Sequence, residues 1–411
     1  MPDVIVIGAG LAGLRAAVDL TAAGADVVVL EARDRVGGRV WTHHFTDGQL
    51  AERGAEFIDG NHTEVLASAA RYGLALTDRD RELDPQATLV DAAGRAVPYH
   101  LHASLADDWK AWDAALAALQ PTEEFEYRSL AATLDSLQLS ALSRLVIGRD
   151  IRTEFMLPPE HVSQRFAAEI ATRRVAGQRE RHRIVGGNDR LAHALAAQIA
   201  GRIRLATPVR SIDADTGAVA LRAGDVLQAA AVVMAVPLPV LTRLWPDIPA
   251  GLAGVSYGIG GKISIQFQRR IWRDYGRNGT VLSDRAWGHL WETTDDQEGD
   301  AGVLTSLMAS HDGAALAALP EAPDQLVREA DRLFPGAKGL AGERVHTDWT
   351  NDPYSLGAYT CFGPGQWKNA QAALHTAHGR MWVAGEHADG FSGFMEGALR
   401  SGARAAAAIN G

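Results

Sequence analysis

A glycine-rich turn between two apolar segments dominates the first thirty residues of the chain. Val4 to Ile7 form a continuous apolar run, as a strand buried on both faces requires. Gly8 to Gly13 follow, then an Ala-rich stretch from Leu14 to Ala23 with helical propensity, which Gly24 ends. Val27 to Leu30 form a second apolar run. This order of segments predicts one βαβ unit.

The turn has the spacing G-x-G-x-x-G, which is typical of dinucleotide sites. Gly8 makes the turn, Gly10 lets the backbone approach a pyrophosphate, and Gly13 packs the helix on the sheet. The helix N-terminus, which includes Leu11 and Ala12, offers N–H donors and the positive end of the helix dipole. The turn therefore predicts a dinucleotide site, and a glycine turn without a nucleotide is the alternative.

The second strand leads into an element that an NAD site does not need. Glu31 ends the strand, where its carboxylate is placed to accept hydrogen bonds from ribose hydroxyls. It is followed by Ala32-Arg33-Asp34-Arg35-Val36-Gly37-Gly38-Arg39. Two glycines between arginines bring backbone and guanidinium groups to phosphate oxygens. This run resembles, almost letter for letter, the FAD signature of the flavin monoamine oxidase family, which includes monoamine, polyamine and L-amino acid oxidases.

The resemblance continues along the chain and implies further contacts with FAD. By resemblance Gly54, Ala55, Glu56 and Phe57 lie beside the flavin, and Val209 lies on a strand that meets adenine. Trp349 belongs by resemblance to the segment that leads to the aromatic cage of the family, and it is counted among the cofactor-binding residues. Ala235-Val236-Pro237 resembles an Ala-x-Pro strand end of the family. The resemblance therefore covers the start, the middle and the end of the chain.

The C-terminal region carries a second motif, Ala384-Gly385-Glu386-His387, followed by Gly393-Phe394-Met395-Glu396-Gly397-Ala398. From Met395 onward, small or apolar residues recur at helical spacing, which predicts a closely packed helix. The N–H groups of its first turn point at whatever lies before it. By resemblance that is the flavin: Glu386 contacts the ribityl chain, the Met395 N–H contacts the ring, and Ala398 belongs to the same cofactor-binding set. A helix that only packs fits the spacing equally well.

Three residues are predicted to carry the chemistry. Lys262 begins an alternating strand, ten residues before Trp272. By resemblance it holds a water at the flavin and assists the reaction of reduced flavin with oxygen, whereas a lone strand lysine is usually a solvated edge residue. Tyr359 and Phe394 resemble the aromatic cage of the family, whose π-faces orient the amine. A place in the core is the alternative for each aromatic residue.

The residue before Tyr359 bears on how the cofactor is held. In the mitochondrial monoamine oxidases this position is a cysteine bonded to the flavin, and here it is Ala358. Cys361, the single cysteine, lies three residues further on and by this alignment does not reach the ring. We therefore predict that FAD is bound without a covalent link.

Glu56 and Asp59 are candidates for binding a di- or polyamine. In plant polyamine oxidases an acidic residue stands where Asp59 stands, and the alternative here is a solvated pair on a loop. In L-amino acid oxidases of the snake-venom type, an arginine for the substrate carboxylate would fall near Phe57, which cannot bind a carboxylate. The arginines left to supply a cation from elsewhere are Arg53, Arg149 and Arg152.

Composition bounds the class of protein. The 411 residues exceed what one hydrophobic core usually holds, so two domains are expected. A net charge of −10 without a long basic run argues against a nucleic-acid partner. A single cysteine excludes an intramolecular disulfide and a Cys-based zinc site, and no metal site is predicted. Without a long apolar segment or a secretory signal, we expect a cytoplasmic protein that does not span a membrane.

The remaining segments complete the predicted architecture. Residues 104–150 are predicted to be mostly helical up to a break at 157–159, and another helix opens at 184–187 and runs through 200. Strands are predicted at 203–212, 227–234, 262–268 and 381–384, the third of them half-buried and antiparallel, and a helix from about 394. The fold class is α/β, as in amine oxidases and p-hydroxybenzoate hydroxylase. A Rossmann-like FAD-binding domain comprises residues 1–77, 182–258 and 346–411, and an α+β substrate domain comprises 78–181 and 259–345.

These features predict FAD-dependent oxidation of a primary amine, or of a di- or polyamine, to an imine, which is hydrolysed to an aldehyde and ammonia or amine while O2 becomes H2O2. An L-amino acid oxidase is the nearest alternative. Further alternatives are a desaturase or porphyrinogen oxidase, a non-catalytic FAD-bound module, and an NAD-dependent dehydrogenase. Lys262 argues against the desaturase or porphyrinogen oxidase and against the non-catalytic module. The particular amine, the electron acceptor and the oligomeric state stay open, with a homodimer as one option.

Overall fold

The computed structural model describes residues 1–79, 83–173 and 178–411. In chain order its strands are β1 (Val4–Ile7), β2 (Val27–Leu30), β3 (Thr42–His44), β4 (Leu50–Glu52), β5 (Leu89–Ala92), β6 (Arg95–Pro98), β7 (Ile203–Arg204), β8 (Val209–Asp213), β9 (Ala218–Leu221), β10 (Val226–Gln228), β11 (Ala231–Met234), β12 (Gly260–Phe267), β13 (Val281–Ser283), β14 (His289–Glu292), β15 (Gly302–Ala309), β16 (Ala341–Asp348) and β17 (Met381–Val383). Its α-helices are α1 (Leu11–Ala22), α2 (Thr63–Arg71), α3 (Leu105–Ala118), α4 (Leu130–Ser136), α5 (Ala141–Phe155), α6 (Gln164–Arg173), α7 (Asp189–Gln198), α8 (Leu238–Leu244), α9 (Ala250–Ala253), α10 (Ser310–Ala317), α11 (Ala322–Leu333), α12 (Trp367–Leu374) and α13 (Met395–Asn410).

A five-stranded parallel sheet has the order β17-β11-β1-β2-β7. Strands β1 and β2 have the predicted bounds, and all four residues of β1 are buried. Helix α1 begins at Leu11, three residues earlier than its Ala-rich stretch, because the last residues of the glycine turn are already helical. The predicted βαβ unit and the α/β class are confirmed.

The expectation of single strands at 203–212 and 227–234 is wrong. The first is divided between β7 in the five-stranded sheet and β8 in a three-stranded sheet of order β10-β9-β8. The chain turns between them, where Ala206 has a φ of +49° and Pro208 follows. The second is divided in the same way between β10 and β11. The pattern of apolar residues indicates that a strand is buried but not which sheet it joins. The passage of the chain from one sheet to the other therefore leaves no periodic signal in the sequence.

A seven-stranded mixed sheet has the order β16-β12-β15-β14-β13-β5-β6. Strand β12 is antiparallel to both of its neighbours, as predicted. It is buried rather than half-buried: Ile263, Ile265 and Phe267 pack against α11, and only Gln266 is partly exposed. The division into two domains stays a prediction; β16 crosses its boundary at 345/346, and residues 80–82 and 174–177 of the substrate segment lie outside the described residues.

The helices agree broadly with the sequence. The helical region 104–150 contains α3, α4 and α5, and α5 ends at Phe155 because Met156 adopts a φ of +57° before Leu157-Pro158-Pro159. Helix α13 lies directly on α1, since a Cβ added to Gly402 would stand 2.3 Å from the Ala12 carbonyl oxygen. None of the helices in the described ranges is long and apolar enough to cross a lipid bilayer.

Candidate active site

A cavity of about 1040 Å³ is lined by residues of both large sheets and of the loops between them. The predicted site residues that line it are Gly8, Gly10, Leu11, Ala12, Glu31, Ala32, Arg33, Gly37, Gly38, Arg39, Gly54, Ala55, Glu56, Phe57, Asp59, Val209, Lys262, Trp349, Tyr359, Gly385, Glu386, Phe394, Met395 and Ala398. Gly13 is outside this lining. The fold thus brings residues from both ends of the chain to one space.

The glycine turn holds the backbone where side chains do not fit. Gly8 has a φ of +101°, and a Cβ there would stand 2.6 Å from the Ala235 carbonyl oxygen. A Cβ on Gly13 would stand 1.9 Å from the Gly8 carbonyl oxygen, which agrees with a packing role. A Cβ on Gly10 would meet nothing within 4 Å, because Gly10 faces the cavity. Gly10 caps α1 without a side chain, so the first N–H groups of α1 have no partner within the helix.

Glu31 is buried, and two backbone donors hold its carboxylate. The Ala9 and Arg33 N–H groups each donate to it at 2.8 Å. The Arg33 side chain donates to Asp352 at 2.5 Å and to the Ser355 hydroxyl at 2.9 Å. Each carboxylate oxygen has a second lone pair, so Glu31 can still accept from a ribose hydroxyl.

Arg39 connects the glycine turn with the C-terminal motif. It follows Gly37-Gly38, whose φ angles are +95° and +60°. Its Nη1 donates to the Tyr257 hydroxyl at 2.5 Å, the Ala358 carbonyl at 2.6 Å and Glu386 at 3.0 Å. Burial disfavours the charge, but the neighbouring Tyr257 and Glu386 raise the pKa of Arg39 above its ordinary value. Arg39 is therefore a fixed cation in the cavity wall.

Glu386 is buried beneath the start of α13. Its carboxylate accepts the Gly393 N–H at 2.9 Å, and the Thr360 N–H and hydroxyl each at 3.3 Å. The Tyr257 hydroxyl donates to it at 3.2 Å. Burial favours the neutral acid, but the Arg39 charge outweighs it and the pKa of Glu386 is lowered. The ionised carboxylate thus organises the loop in front of α13.

Helix α13 begins at the cavity. Phe394 is its N-cap, with an extended backbone and no side-chain hydrogen bond to the helix. The cavity is lined here by Phe394, Met395 and Ala398. The first N–H groups of α13 therefore border the same space as those of α1, and both helices direct the positive end of their dipoles there.

Glu56 is not on a solvated loop, so that alternative is wrong for this residue: its side chain is 2% exposed. It binds Lys262 Nζ at 2.5 Å, Arg183 Nη1 and the Trp291 indole N–H each at 3.1 Å, and the Thr293 hydroxyl. Burial favours the neutral acid, but Lys262 and Arg183 lower the pKa of Glu56 to about 2. Its charge is thus compensated within the protein rather than held free for a substrate cation.

Lys262 is not an edge residue, because β12 has a neighbour on each side. Its side chain is 5% exposed, and Nζ lies 2.5 Å from Glu56, 3.2 Å from the Gly54 carbonyl and 5.3 Å from the Trp291 ring centre. The Gly54 backbone is fixed in turn by Trp349, whose indole nitrogen donates to the carbonyl of Arg53 at 2.9 Å. The ammonium is therefore held at the cavity wall on several sides.

Tyr359 and Phe394 border the cavity and are held by contacts outside it. The Tyr359 hydroxyl donates to the Glu154 carbonyl, 2.9 Å away at the end of α5. The Phe394 ring meets the His62 ring edge to face, with centres 5.2 Å apart. A Cβ on Gly393, between them, would stand 3.3 Å from the Tyr359 ring. Both aromatic residues are thus fixed in place at the cavity.

Asp59 lines the cavity with a side chain 14% exposed, and it accepts the Glu180 N–H at 2.7 Å. The three arginines considered for a substrate carboxylate are not among the cavity residues in the described part of the chain. Arg53 stacks 3.5 Å from the Trp41 ring centre, Arg149 pairs with Asp312, and Arg152 donates to the Gly148 carbonyl. This geometry weakens the amino-acid alternative that depended on them.

Several residues that shape the site were missed from the sequence. Arg183 pairs with Glu56, Tyr257 with Arg39 and Glu386, and Trp291 with Glu56 and Lys262. The sequence weakly indicated a role for Arg183, because it directly precedes the apolar pair Ile184-Val185 and a charged residue that is buried needs a partner. No such signal marked Tyr257 or Trp291, because Tyr257 and its partners Arg39 and Glu386 are more than a hundred positions apart, and Trp291 contacts Glu56 from 235 positions away.

Comparisons with known proteins show the family and the fold of this chain. Residues 11–410 match the family model described as flavin containing amine oxidoreductase. Nicotine dehydrogenase of Pseudomonas putida is 27% identical over 98% of this chain and 87% of that protein. The flavin-containing amine oxidase B of Homo sapiens is 26% identical over 99% of this chain and 86% of its own. The solved cyclohexylamine oxidase of Brevibacterium oxydans shares the fold, with a TM-score of 0.85, 24% identity and coverage of 100% and 98%.

The cavity residues fit a flavin that carries a diphosphate-containing tail. Two helix N-termini without side-chain caps border it, and the first turn of α1 contains no acidic residue that would repel a phosphate. The Arg39 guanidinium, which pairs with Glu386, lines the same cavity. The chain belongs to the flavin containing amine oxidoreductase family, whose members are oxidoreductases that act on amines.

Proposed function

We propose that this chain is an FAD-dependent amine oxidase. It converts a primary amine, or a di- or polyamine, to an imine, which water hydrolyses to an aldehyde and ammonia or amine, while O2 is reduced to H2O2. The observation that carries the proposal is that Lys262, Tyr359 and Phe394 border the same cavity as the glycine turn. That arrangement supports a cofactor and a substrate in one continuous space.

FAD is proposed to be held by residues at both ends of the cavity. The N–H groups of α1 and the Arg39 guanidinium suit the pyrophosphate, Glu31 suits a ribose, Val209 suits adenine and the start of α13 suits the flavin ring. Ala358 offers no thiol, and burial raises the pKa of the Cys361 thiol, which supports binding without a covalent bond. When bound, the flavin accepts the hydride equivalent that leaves the amine α-carbon.

The side chains of this protein position the substrate. The rings of Tyr359 and Phe394 offer π-faces that orient a neutral amine toward the cofactor. The Lys262 ammonium can hold a water in the cavity, and the buried walls keep bulk water away from the reacting atoms. None of these roles requires a side chain to remove a proton from carbon.

An L-amino acid is the second candidate substrate, because Arg179 lines the cavity. It lies 3.9 Å from Glu154 and can pair with a substrate carboxylate. The name of the nicotine-acting relative, a dehydrogenase, also suggests acceptors other than oxygen. These alternatives differ from the leading proposal in substrate class or in electron acceptor, and one assay separates them.

The test is anaerobic mixing of the purified yellow protein with a panel of monoamines, di- and polyamines and L-amino acids. Bleaching of the flavin by an amine, followed by peroxide formation when air is admitted, is the expected result. Bleaching by amino acids alone favours the second candidate, and bleaching without peroxide in air shows another acceptor. Absence of bleaching by every compound contradicts both oxidase proposals and favours a non-catalytic FAD-binding protein.

A further inference from the structure

The Lys262–Glu56 ion pair is buried in the wall of the cavity. Nζ and Oε2 are 2.5 Å apart, and the two side chains are 5% and 2% exposed. A charge this far from water acts over longer distances than a surface charge does. Whether the lysine acts as a free cation or as half of a neutral pair therefore changes the electrostatics of the site.

Glu56 is held in this pair by further donors. The Trp291 indole N–H donates to its Oε1 at 3.1 Å, Arg183 Nη1 lies 3.1 Å from the same oxygen, and the Thr293 hydroxyl also donates to it. One carboxylate oxygen thus faces these three groups while the other faces Lys262. A side chain fixed in this way cannot rotate away from the lysine without breaking several buried hydrogen bonds.

The positive charge of Arg183 is also balanced by neighbouring carboxylates. Its Nη2 lies 3.0 Å from Asp295 and 2.6 Å from Asp296, in addition to the contact with Glu56. Arg79 also lies 3.5 Å from Asp295, so the three carboxylates accompany three cations, namely Lys262, Arg183 and the more exposed Arg79. The cluster as a whole presents no net positive charge to the cavity, even though a lysine lines it.

We propose that Glu56 is a positioning residue that fixes the Lys262 ammonium and masks its charge, so that electrons pass to oxygen more slowly than an unpaired Lys262 would allow. This inference rests on the proposed function in one respect, that the flavin ring lies beside Lys262. O2 takes two electrons from the reduced cofactor and two protons to become H2O2. The first electron makes superoxide, an anion whose formation a nearby unpaired cation favours.

The test replaces Glu56 with the isosteric neutral residue, Glu56→Gln, in the FAD-loaded protein. The enzyme is reduced with dithionite, without any amine, and mixed with oxygen in a stopped-flow instrument at pH 6 and 7. We expect reoxidation about ten-fold faster than in the wild type, because one unit of positive charge is unmasked. The flavin midpoint potential should rise by about 30 mV, which corresponds to a ten-fold change for a two-electron couple.

Two controls separate this role from a structural one. Glu126→Gln removes another buried carboxylate, which is not among the described residues that line the cavity, pairs with Arg165 at 3.1 Å and accepts the Lys368 N–H at 3.2 Å, and this variant should leave the potential and the oxygen rate unchanged. The double variant Glu56→Gln/Lys262→Met should not exceed the wild-type oxygen rate. A double variant as fast as Glu56→Gln alone would show that Glu56 does not act through Lys262.

An unchanged midpoint potential and oxygen rate in a yellow, folded Glu56→Gln protein would overturn the inference. If that variant does not retain FAD, Glu56→Asp keeps the charge but withdraws it from Lys262, and a smaller rise in both quantities is expected. No rise in Glu56→Asp would overturn the inference equally. This experiment uses no amine, so its outcome is independent of the amine-bleaching assay. If Glu56→Gln shifts the potential but no amine bleaches the flavin, the proposed function is rejected and this inference stands.

Discussion

The carboxylate of Glu396, in the first turn of α13, accepts the backbone N–H of Val65, 3.0 Å away in the first turn of α2. It also accepts the Glu64 N–H at 2.9 Å and the Thr63 hydroxyl at 3.2 Å. The N-cap residue of α2, His62, makes no side-chain cap of its own. Glu396 is therefore a cap supplied from a distant helix, and it ties α2 to the helix that begins at the cavity.

Removing this cap should destabilise the fold. We expect Glu396→Ala to lower the free energy of unfolding by about 1–3 kcal/mol, since buried donors at the start of α2 lose a charged acceptor. Urea unfolding of the apoprotein measures the change. Glu64→Gln is the matched control, because its partly exposed pair with Arg15 should contribute less than about 1 kcal/mol. Equal effects of the two variants would contradict the capping role.

Two glycines of the first turn should respond differently to alanine. Gly13→Ala places a Cβ 1.9 Å from the Gly8 carbonyl oxygen, so we expect both the fold and FAD binding to suffer. Gly10→Ala meets no protein atom within 4 Å, and its φ of −74° suits alanine, so the apoprotein should keep its stability. FAD affinity should nevertheless fall at least about ten-fold, because the methyl group enters the space that we propose for the pyrophosphate. Thermal unfolding measures the stability and FAD titration measures the affinity. An unchanged FAD affinity in Gly10→Ala would contradict the proposed position of the pyrophosphate beside Gly10.

Lys262→Met should separate cofactor binding from oxygen chemistry. We expect an intact yellow protein, because methionine fills a similar volume, with a reaction of reduced flavin with oxygen that is slowed by about ten-fold or more. Stopped-flow reoxidation at several oxygen concentrations measures this step. If turnover were unchanged at every oxygen level, Lys262 would have no part in the reaction.

Glu52 makes the stability depend on pH. It is buried and accepts the Asn188 N–H at 2.7 Å, and burial raises its pKa to about 7 from an ordinary 4.5. The folded state then binds a proton that the unfolded state has lost, so the free energy of unfolding falls as pH rises from about 4.5 to 7 and levels off above. The full loss from this group is roughly 3 kcal/mol. Urea unfolding from pH 5 to 8 should show this slope in the wild type and a flatter one in Glu52→Gln. If the free energy of unfolding changed with pH equally in the wild type and in Glu52→Gln, the pKa of Glu52 would not be raised in the folded state.

Acid precipitation should release the flavin into the supernatant, because Cys361 is the single cysteine and lies fully buried in the core. The same burial should keep a thiol reagent from labelling Cys361 in the native protein and allow it in urea. Absorbance of the supernatant and mass spectrometry of the pellet measure the two outcomes. A pellet that retained the mass of FAD would contradict non-covalent binding.

The sequence was most informative where local rules act alone. The bounds of β1 and β2 were predicted because strands buried on both faces need apolar runs, and Gly8 ends the first run while Glu31 ends the second. The segment 203–212 was misread, because distant partners decide which sheet β7 and β8 each join, and the segment itself carries no sign of that choice. Strand β12 was predicted as half-buried for a related reason: alternation records side-chain chemistry, whereas its second face is covered by other parts of the fold.

Within the site, the residue types were predictable and their pairings were not. Lys262 and Glu56 were each candidates, but 206 positions separate them, and nothing in either segment indicates that they form an ion pair. Arg183 completes the pair from a third segment, again without a spacing that marks it. Long-range electrostatic pairs follow from the way the sheets pack together, so they become visible only in three dimensions.

The order of strands in the parallel sheet has a consequence for biosynthesis. Strand β1 emerges from the ribosome more than two hundred residues before its neighbour β11 and more than three hundred residues before β17, the strand beyond β11. The early βαβ unit must therefore wait with one side of β1 unpaired, in a state open to chaperones and to aggregation. Because α13 borders the cavity and follows the other described strands and helices along the chain, a ligand of that cavity can trap the native state only after α13 has been synthesised.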